Sequence, residues 1–419
     1  MSHRRLFLKQ LAAAGVTAGL GRLVAADEAL GAALARLPEE ASLEGEYLLS
    51  PEITYLNHGS IGTIPRVVHE AHRAYLELCE TNPWLYMWGG AWEEPREAVR
   101  SKVAAAIGAA AEDVALTHNT TEGFNLLAQG LPLGPGDEVL FSTLNHPGAS
   151  VCWFHRARDA GYRVRRFPFP VREVASLSVR DVVELHRREI TDRTRVLVFP
   201  HVDNQVGLRH PVEELAGMAH RLGVEFVAVD GAQSVGMLPV AVEEMGIDFY
   251  AASPHKWLQA PKGLGLLYVR RPLAERLRPM WVTWGQERWE GSVRIFEDYG
   301  TRNLPELLAL GDAVEFQGAV ALGGEGRSYR ALWEAWRSAS ESAPGVRWRS
   351  PVEWALSASL FALEVDGLAS PELFDRLWKE GGFVFRAFHT PELNTARISP
   401  NRMTREEERD RFFAAVAKL

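Results

Sequence analysis

Lysine and cysteine are both scarce in this 419-residue chain. Six lysines stand at positions 9, 102, 256, 262, 379 and 418, and the two cysteines are Cys79 and Cys152. Two cysteines cannot build a disulfide framework or a cysteine metal site, so both read as semi-buried thiols. The thirteen histidines include no HExxH pair, which argues against a metal hydrolase. No basic stretch recurs and the formal charge is −8, so nucleic acid is a poor partner. No apolar run suits a membrane span, and neither an internal repeat nor a low-complexity linker interrupts the chain. What is present is 47% hydrophobic and 24% charged residues, a globular balance with length for a large core and two domains.

The N-terminus stands apart. HRRLFLKQ is followed by LAAAGVTAGL and then LVAAD. A basic start, a short apolar run and small residues at Val24 and Ala26 predict a secretory signal over residues 1–26, cut after Ala26. Arg4-Arg5 ahead of Leu6-Phe7-Leu8-Lys9 resembles the twin-arginine export signal, with His3 where that signal prefers Ser or Thr. The resemblance implies export of a folded protein to a periplasmic or extracytoplasmic site. The alternative is a basic helix retained in the cytoplasm.

From about Glu94 onward, helical and strand-like stretches alternate. EEPREAVRSKVAAAIG has helical periodicity. TTEGFNLLAQGL opens a second helix that Thr120 or Thr121 can cap. DVALTHN, DEVLFST, YRVRRFPF, RVLVFPHV, VEFVAVD, IDFYAAS and LGLLYVR are short apolar runs. This alternation predicts an α/β fold with a mostly parallel, seven-stranded sheet covered on both faces. After Leu304 the texture changes: LPELLALGDAVEFQGAVALGG reads as a long helix leaving the sheet, and WALSASLFALEV and ARISP suggest a smaller α+β domain. The expected units are an N-terminal arm over 27–65, a large domain over 66–305 and a small domain over 306–419.

In open α/β sheets, ligands collect at the carboxyl ends of strands. THNTTEG, TLNHPGAS, HVDNQVG, DGAQ and SPHKW each follow an apolar run. Asp230 ends VEFVAVD, where a buried carboxylate requires a cationic partner that no neighbour in sequence supplies. A protonated pyridine nitrogen would serve; a turn cap is the simpler role. Lys256 follows IDFYAAS, and a desolvated amine there becomes a nucleophile toward aldehydes. Lys9, Lys102, Lys379 and Lys418 lie in the signal, in helix-like stretches or at the terminus, and Lys262 sits in a PKG turn with a structural or phosphate-directed role. NTTEG, a strand followed by hydroxyls and a helix start, is a candidate phosphate cradle. Ser253 and His255 add donors beside Lys256, and His146 can lie flat on an aromatic ring. An amine, a carboxylate, a stacking ring and an anion cradle together fit pyridoxal 5'-phosphate.

These motifs resemble the fold-type I pyridoxal-phosphate enzymes, specifically the class V aminotransferase family and its isopenicillin N epimerase-like branch. The likeness runs from YLNHGSIGTIP to ARISPNRMTREEE and is most specific in DGAQSVG and DFYAASPHKWLQAPKGLGLLYV. It implies that Lys256 is the Schiff-base lysine, that Asp230 pairs with the pyridinium and that His146 stacks on the ring. It implies that Asn204 and Gln233 face the phenolic oxygen. Thr120, Thr121, the Gly123 backbone, Ser253 and His255 would hold the phosphate. Gly300 and Thr301 in YGTRN would reach the phosphate of a neighbouring subunit, implying a homodimer with a composite site. Arg397 would receive the α-carboxylate of an amino-acid substrate, although a strand-edge arginine is the plainer role. Asn57, His58, Trp84, Tyr86, Trp88 and Trp284 are candidates for selecting the side chain; the run NPWLYMWGGAW lines a pocket or else packs as a helix start or dimer contact. Cysteine desulfurases of this family use a nucleophilic cysteine late in the chain, and none follows Cys152 here. The expected activity is an epimerase or lyase at the α-carbon of an amino acid, with an aminotransferase or a non-catalytic cofactor-binding protein as the other readings.

Overall fold

A computed structural model of the chain describes residues 20–40, 42–323 and 328–419. The first nineteen residues of the expected signal, with the arginine pair, lie outside these described residues.

The apolar runs become seven strands: β1 (Val114–Thr117), β2 (Glu138–Ser142), β3 (Arg163–Phe167), β4 (Thr194–Pro200), β5 (Phe226–Asp230), β6 (Phe249–Ala252) and β7 (Gly265–Val269). Their order across the sheet is β1-β7-β6-β5-β4-β2-β3. Every residue of β1, β2, β5, β6 and β7 is buried. Successive residues serve opposite faces: Val227 and Val229 enter one core, Phe226 and Ala228 the other. A sheet covered on both sides demands such unbroken apolar strands. β7 alone runs antiparallel, to both β6 and β1. The link from β6 to β7, residues 253–264, contains no helix, so the chain turns straight back beside β6 instead of crossing over. That link is the SPHKWLQAPKG segment.

The helix Leu304–Ala321 does not leave the sheet. It is apolar around its circumference, as a helix buried on all sides must be, and it packs against the helices Leu20–Arg36, Arg66–Thr81 and Glu93–Ala105 within the first core. The expected boundary at 305/306 falls just inside it. A separate core forms beyond it on a four-stranded antiparallel sheet of β8 (Val346–Trp348), β9 (Phe361–Val365), β10 (Arg386–His389) and β11 (Asn394–Ile398), in the order β10-β11-β9-β8. Trp336, Leu377 and Phe412 cover it from three helices.

The N-terminal segment touches both units. Leu20–Arg36 is one continuous helix that runs through the expected cut after Ala26 and buries Leu23, Ala26, Leu30 and Ala33. Further on, Thr54–Tyr55 pairs in parallel with Phe383–Val384 of the small unit. Gly62 then donates its N–H to the His255 carbonyl at 2.8 Å. A Cβ at Gly62 would lie 2.1 Å from the Lys256 carbonyl oxygen, so only glycine lets the arm come this close. No helix among the described residues is long and apolar enough to cross a membrane.

Candidate active site

The strand order brings the carboxyl ends of β6, β5, β4 and β2 side by side, and the predicted groups with them. Asp230 is the last residue of β5 and is 4% exposed. Its Oδ1 accepts the Ala232 N–H at 2.9 Å, while the other oxygen takes no hydrogen bond from the described residues. The helix-free link after β6 carries Lys256, in a turn closed by the Ala260 N–H on the Pro254 carbonyl at 3.2 Å. Burial pulls the Lys256 amine down to about 8, against the opposing charge of Asp230, and the Arg397 charge adds to the fall. The amine is thus partly desolvated, and the buried Asp230 carboxylate acts on it electrostatically.

His146 follows β2 at the solvent-facing mouth, and its Nδ1 accepts the Gly148 N–H at 3.0 Å. That bond leaves the proton on Nε2. Burial lowers its pKa, Asp230 opposes the fall, and Lys256 and Arg397 add to it. A Cβ on Gly148 would lie 2.6 Å from the Thr121 hydroxyl and 3.0 Å from the His146 ring, so a glycine keeps this corner open.

The helix Thr120–Gly130 starts directly after β1. Its cap is Asn119 and neither threonine: the Asn119 Oδ1 accepts the Glu122 N–H at 2.8 Å. The threonines are thereby released for other work. Ser253 Oγ accepts the Thr120 N–H at 3.0 Å and lies 2.8 Å from the Thr120 hydroxyl, tying the helix start to the Lys256 link. Thr121 is exposed at the same helix end, where its own N–H, the one in this turn with no partner among the described residues, and the helix dipole favour an anion. His255 contributes a buried Nδ1 with no protein partner, and burial beside Lys256 and Lys262 lowers it to about 4, so it is neutral at physiological pH.

Asn204 sits after β4 with its Oδ1 buried and unpartnered. Its backbone carbonyl accepts Arg397 Nη1 at 3.1 Å. Arg397 lies on β11 and is 2% exposed; its Nη2 also donates to Asn57 Oδ1 at 2.7 Å and to Ser60 Oγ at 2.6 Å. Burial and the neighbouring Arg386 lower its pKa to about 9, with Asp203 and Tyr55 opposing, and it remains cationic at neutral pH. Three of its five N–H groups are engaged, leaving two for a carboxylate.

Other expectations need correction. Gln233 is mostly committed to the scaffold: its Oε1 accepts the Trp257 indole N–H at 2.8 Å and its Nε2 donates to the Gly59 carbonyl at 2.7 Å, so one N–H remains for a ligand. His58 does not line the site. It is wholly buried behind Asn57, edge-on to Tyr55 at 4.9 Å, because the Asn57–Ser399 bridge turns it inward. Gly300 and Thr301, which the resemblance assigns to the site of a neighbouring subunit, line a cleft of about 680 Å³ with Tyr86, Trp88, Trp284 and Arg302. Trp84, Trp88 and Trp284 are 70%, 69% and 93% exposed, whereas Tyr86 and Trp92 of the same run are buried, so the run lies partly on an outer surface and partly in the core.

Sequence reasoning missed Ser60, which grips Arg397, and Asp203. The Asp203 carboxylate is buried, accepts the backbone N–H groups of Gln205, Val206 and Leu208 at 2.6–2.9 Å, and shapes the loop that presents Asn204. An aspartate directly after a buried strand in HVDNQVG is a signal that could have found it. Orphaned acceptors and donors at Asn204 and His255, a free oxygen on Asp230, a neutralisable amine at Lys256 and an open helix end fit a phosphorylated, aldehyde-bearing pyridine.

Residues 54–389 match the family described as Aminotransferase class-V. The chain is 31% identical over 403 residues to isopenicillin N epimerase from Streptomyces clavuligerus, covering 91% of this chain and 98% of the relative. It is 36% identical over 233 residues to a cysteine desulfurase from Haloferax volcanii, covering 52% of this chain and 53% of that one. Its fold is similar to that of the cysteine desulfurase CsdA from Escherichia coli, with a TM-score of 0.77 and 26% identity over 90% of this chain and 97% of the other. The strand order, the Lys256–Asp230 site and these likenesses agree: the chain belongs to the class V aminotransferase family and is a pyridoxal 5'-phosphate-dependent enzyme of the fold-type I architecture.

Proposed function

We propose that the enzyme acts at the α-carbon of an amino acid as an epimerase or lyase of the isopenicillin N epimerase-like kind. The observation that carries this reading is the half-buried Lys256 amine in the link after β6, whose proton affinity burial lowers and on which Asp230 and Arg397 act with opposite sign. Likeness to the epimerase over nearly the whole of both chains supports that branch, whereas likeness to the Haloferax desulfurase covers about half of each. Cys79 and Cys152 are both buried, and burial raises both thiols, Cys152 to about 12, which disfavours persulfide chemistry.

When bound, pyridoxal phosphate supplies an aldehyde for the substrate's amine and a ring that accepts an electron pair. The chain's own residues do the rest. The Thr121 helix end, Ser253 and His255 would hold the phosphate, and His146 would cover the ring. Asp230 would favour the protonated pyridine nitrogen. Arg397, fixed by Asn57, Ser60 and the Asn204 carbonyl, attracts the substrate carboxylate with its charge and its two remaining N–H groups. Lys256, its pKa lowered to about 8, takes the α-proton; epimerisation then requires a proton returned to the opposite face, and elimination requires loss of a β-substituent.

A panel of L- and D-amino acids in heavy water tests this reading. Deuterium should enter the α-position of the accepted amino acid, with racemisation marking an epimerase, β-elimination a lyase and keto-acid formation an aminotransferase. No exchange with any amino acid would overturn it.

A second copy of the chain completes the site in this reading, through Gly300 and Thr301. The exposed tryptophans beside their cleft support it. Sedimentation of the holoenzyme should give a dimer. The Arg4-Arg5 pair supports export, and cell fractionation of wild type against Arg4→Lys, Arg5→Lys protein checks it.

A further inference from the structure

On the small sheet, two arginines without carboxylate partners stand directly opposite each other. In the antiparallel pairing of β10 with β11, Arg386 faces Arg397, so both side chains leave the same face. Like charges in opposed positions repel. Elsewhere on this sheet arginines meet acids: Arg347 and Arg349 share Glu364 at 2.8 and 2.6 Å, and Arg347 also reaches Asp366 at 2.6 Å. Arg386 is exposed and makes no ion pair among the described residues. The acid that acts on Arg397, Asp203, is occupied by three backbone N–H groups. Between the two cations lies Phe388, whose ring centroid is 5.7 Å from the Arg386 guanidinium carbon and 5.9 Å from that of Arg397. A flat ring steadies planar cations at this distance, so the pair is held together without an anion of its own.

Resting on the reading of Arg397 as the α-carboxylate site, we propose that the substrate is a dianionic amino acid whose side chain ends in a carboxylate, received by Arg386 beside Phe388. Antiparallel partners bring the two Cα atoms within about 4.5–5.5 Å. Two neighbouring guanidinium groups therefore suit two carboxylates separated by a few carbon atoms, and each is suited to planar, paired hydrogen bonding.

Two measurements on the holoenzyme test this. First, α-deuterium exchange is compared between glutamate and glutamine, and between aspartate and asparagine. The acids should react with kcat/KM at least about tenfold higher than the amides, and Arg386→Gln should erase that ratio. Second, glutarate and butyrate are titrated while thermal stability is followed. Glutarate should bind at least about tenfold more tightly, and Arg386→Gln should bring the two together. Equal binding of glutarate and butyrate to the wild type would overturn the proposal. So would an acid preference that survives in the Arg386→Gln protein. The diacid arm needs no turnover, so an absence of exchange with every amino acid would overturn the proposed function while the subsite was still judged by glutarate.

Discussion

Tyr47 donates its hydroxyl to Gln259 Oε1 at 2.8 Å, and Gln317 donates to the same oxygen at 2.6 Å. Gln259 is wholly buried, three residues after Lys256, and its φ of +54° is the one left-handed non-glycine backbone among the described residues. The network holds a strained turn that sets where Lys256 stands. Gln259→Ala keeps the strain and strands the Tyr47 hydroxyl and the Gln317 amide without their acceptor. It should cost about 2–4 kcal/mol in urea unfolding. Gln259→Gly relaxes the turn and should recover about 1 kcal/mol of that loss. An alanine variant as stable as wild type would show that the network does not hold the turn.

Coenzyme uptake should follow the charge on Lys256. The amine is lowered to about 8 from an ordinary 10.5 by burial. The uncharged form, which attacks the aldehyde, therefore grows about tenfold per pH unit below pH 8 and levels off above it. Stopped-flow absorbance of apoenzyme mixed with pyridoxal phosphate should give that profile between pH 6 and pH 9.5. A rate still climbing at pH 9.5 would mean an ordinary surface lysine.

Arg397→Lys keeps the charge but loses the planar fork. One ammonium cannot serve Asn57, Ser60, the Asn204 carbonyl and a substrate carboxylate together. KM should rise by about 10- to 100-fold with a smaller change in kcat. Steady-state kinetics on the substrate found by deuterium exchange checks the split.

Acid should destabilise the fold through its buried histidines. Burial lowers His58 and His186 to about 4 and His201 to about 3, the latter helped by Arg209. The unfolded side chains titrate near about 6.5. The native state therefore holds these rings neutral, and its advantage is complete above pH 6.5. As pH falls from 6.5 toward 4 the unfolded chain takes up protons that the native chain refuses, and stability drops. The melting temperature should be flat between pH 7 and pH 8 and should fall steadily below pH 6.5. His186→Met, which replaces a wholly buried ring, should make that fall shallower.

Much of this architecture was legible from local signals. Most of the seven strands are apolar because burial on both faces requires it, with the edge strand β3 the partly exposed exception, and Lys256, Asp230 and His146 all stand at or just after strand ends. What stayed hidden depends on contacts distant in sequence. Asn119, Thr120 and Thr121 are all capping residues, and only the backbone geometry after β1 selects the asparagine. His58 looks like a loop ligand until the bridge to Ser399 buries it. The helix Leu304–Ala321 has apolar residues on every side, so periodicity could not show that it lies inside the first core. The pairing of Arg386 with Arg397 is a matter of strand register, invisible in a linear reading.

The short parallel pairing of Thr54–Tyr55 with Phe383–Val384 has a mechanical corollary. Two residues beyond it Asn57 grips Arg397, and five residues further Gly62 rests on the carbonyls around Lys256. One strip of backbone thus spans the carboxylate-reading sheet and the turn that bears the reactive amine. Should the smaller unit swing when a substrate docks, it must tug the floor beneath that amine, so recognition and proton transfer are yoked by a tether of nine residues, 54–62.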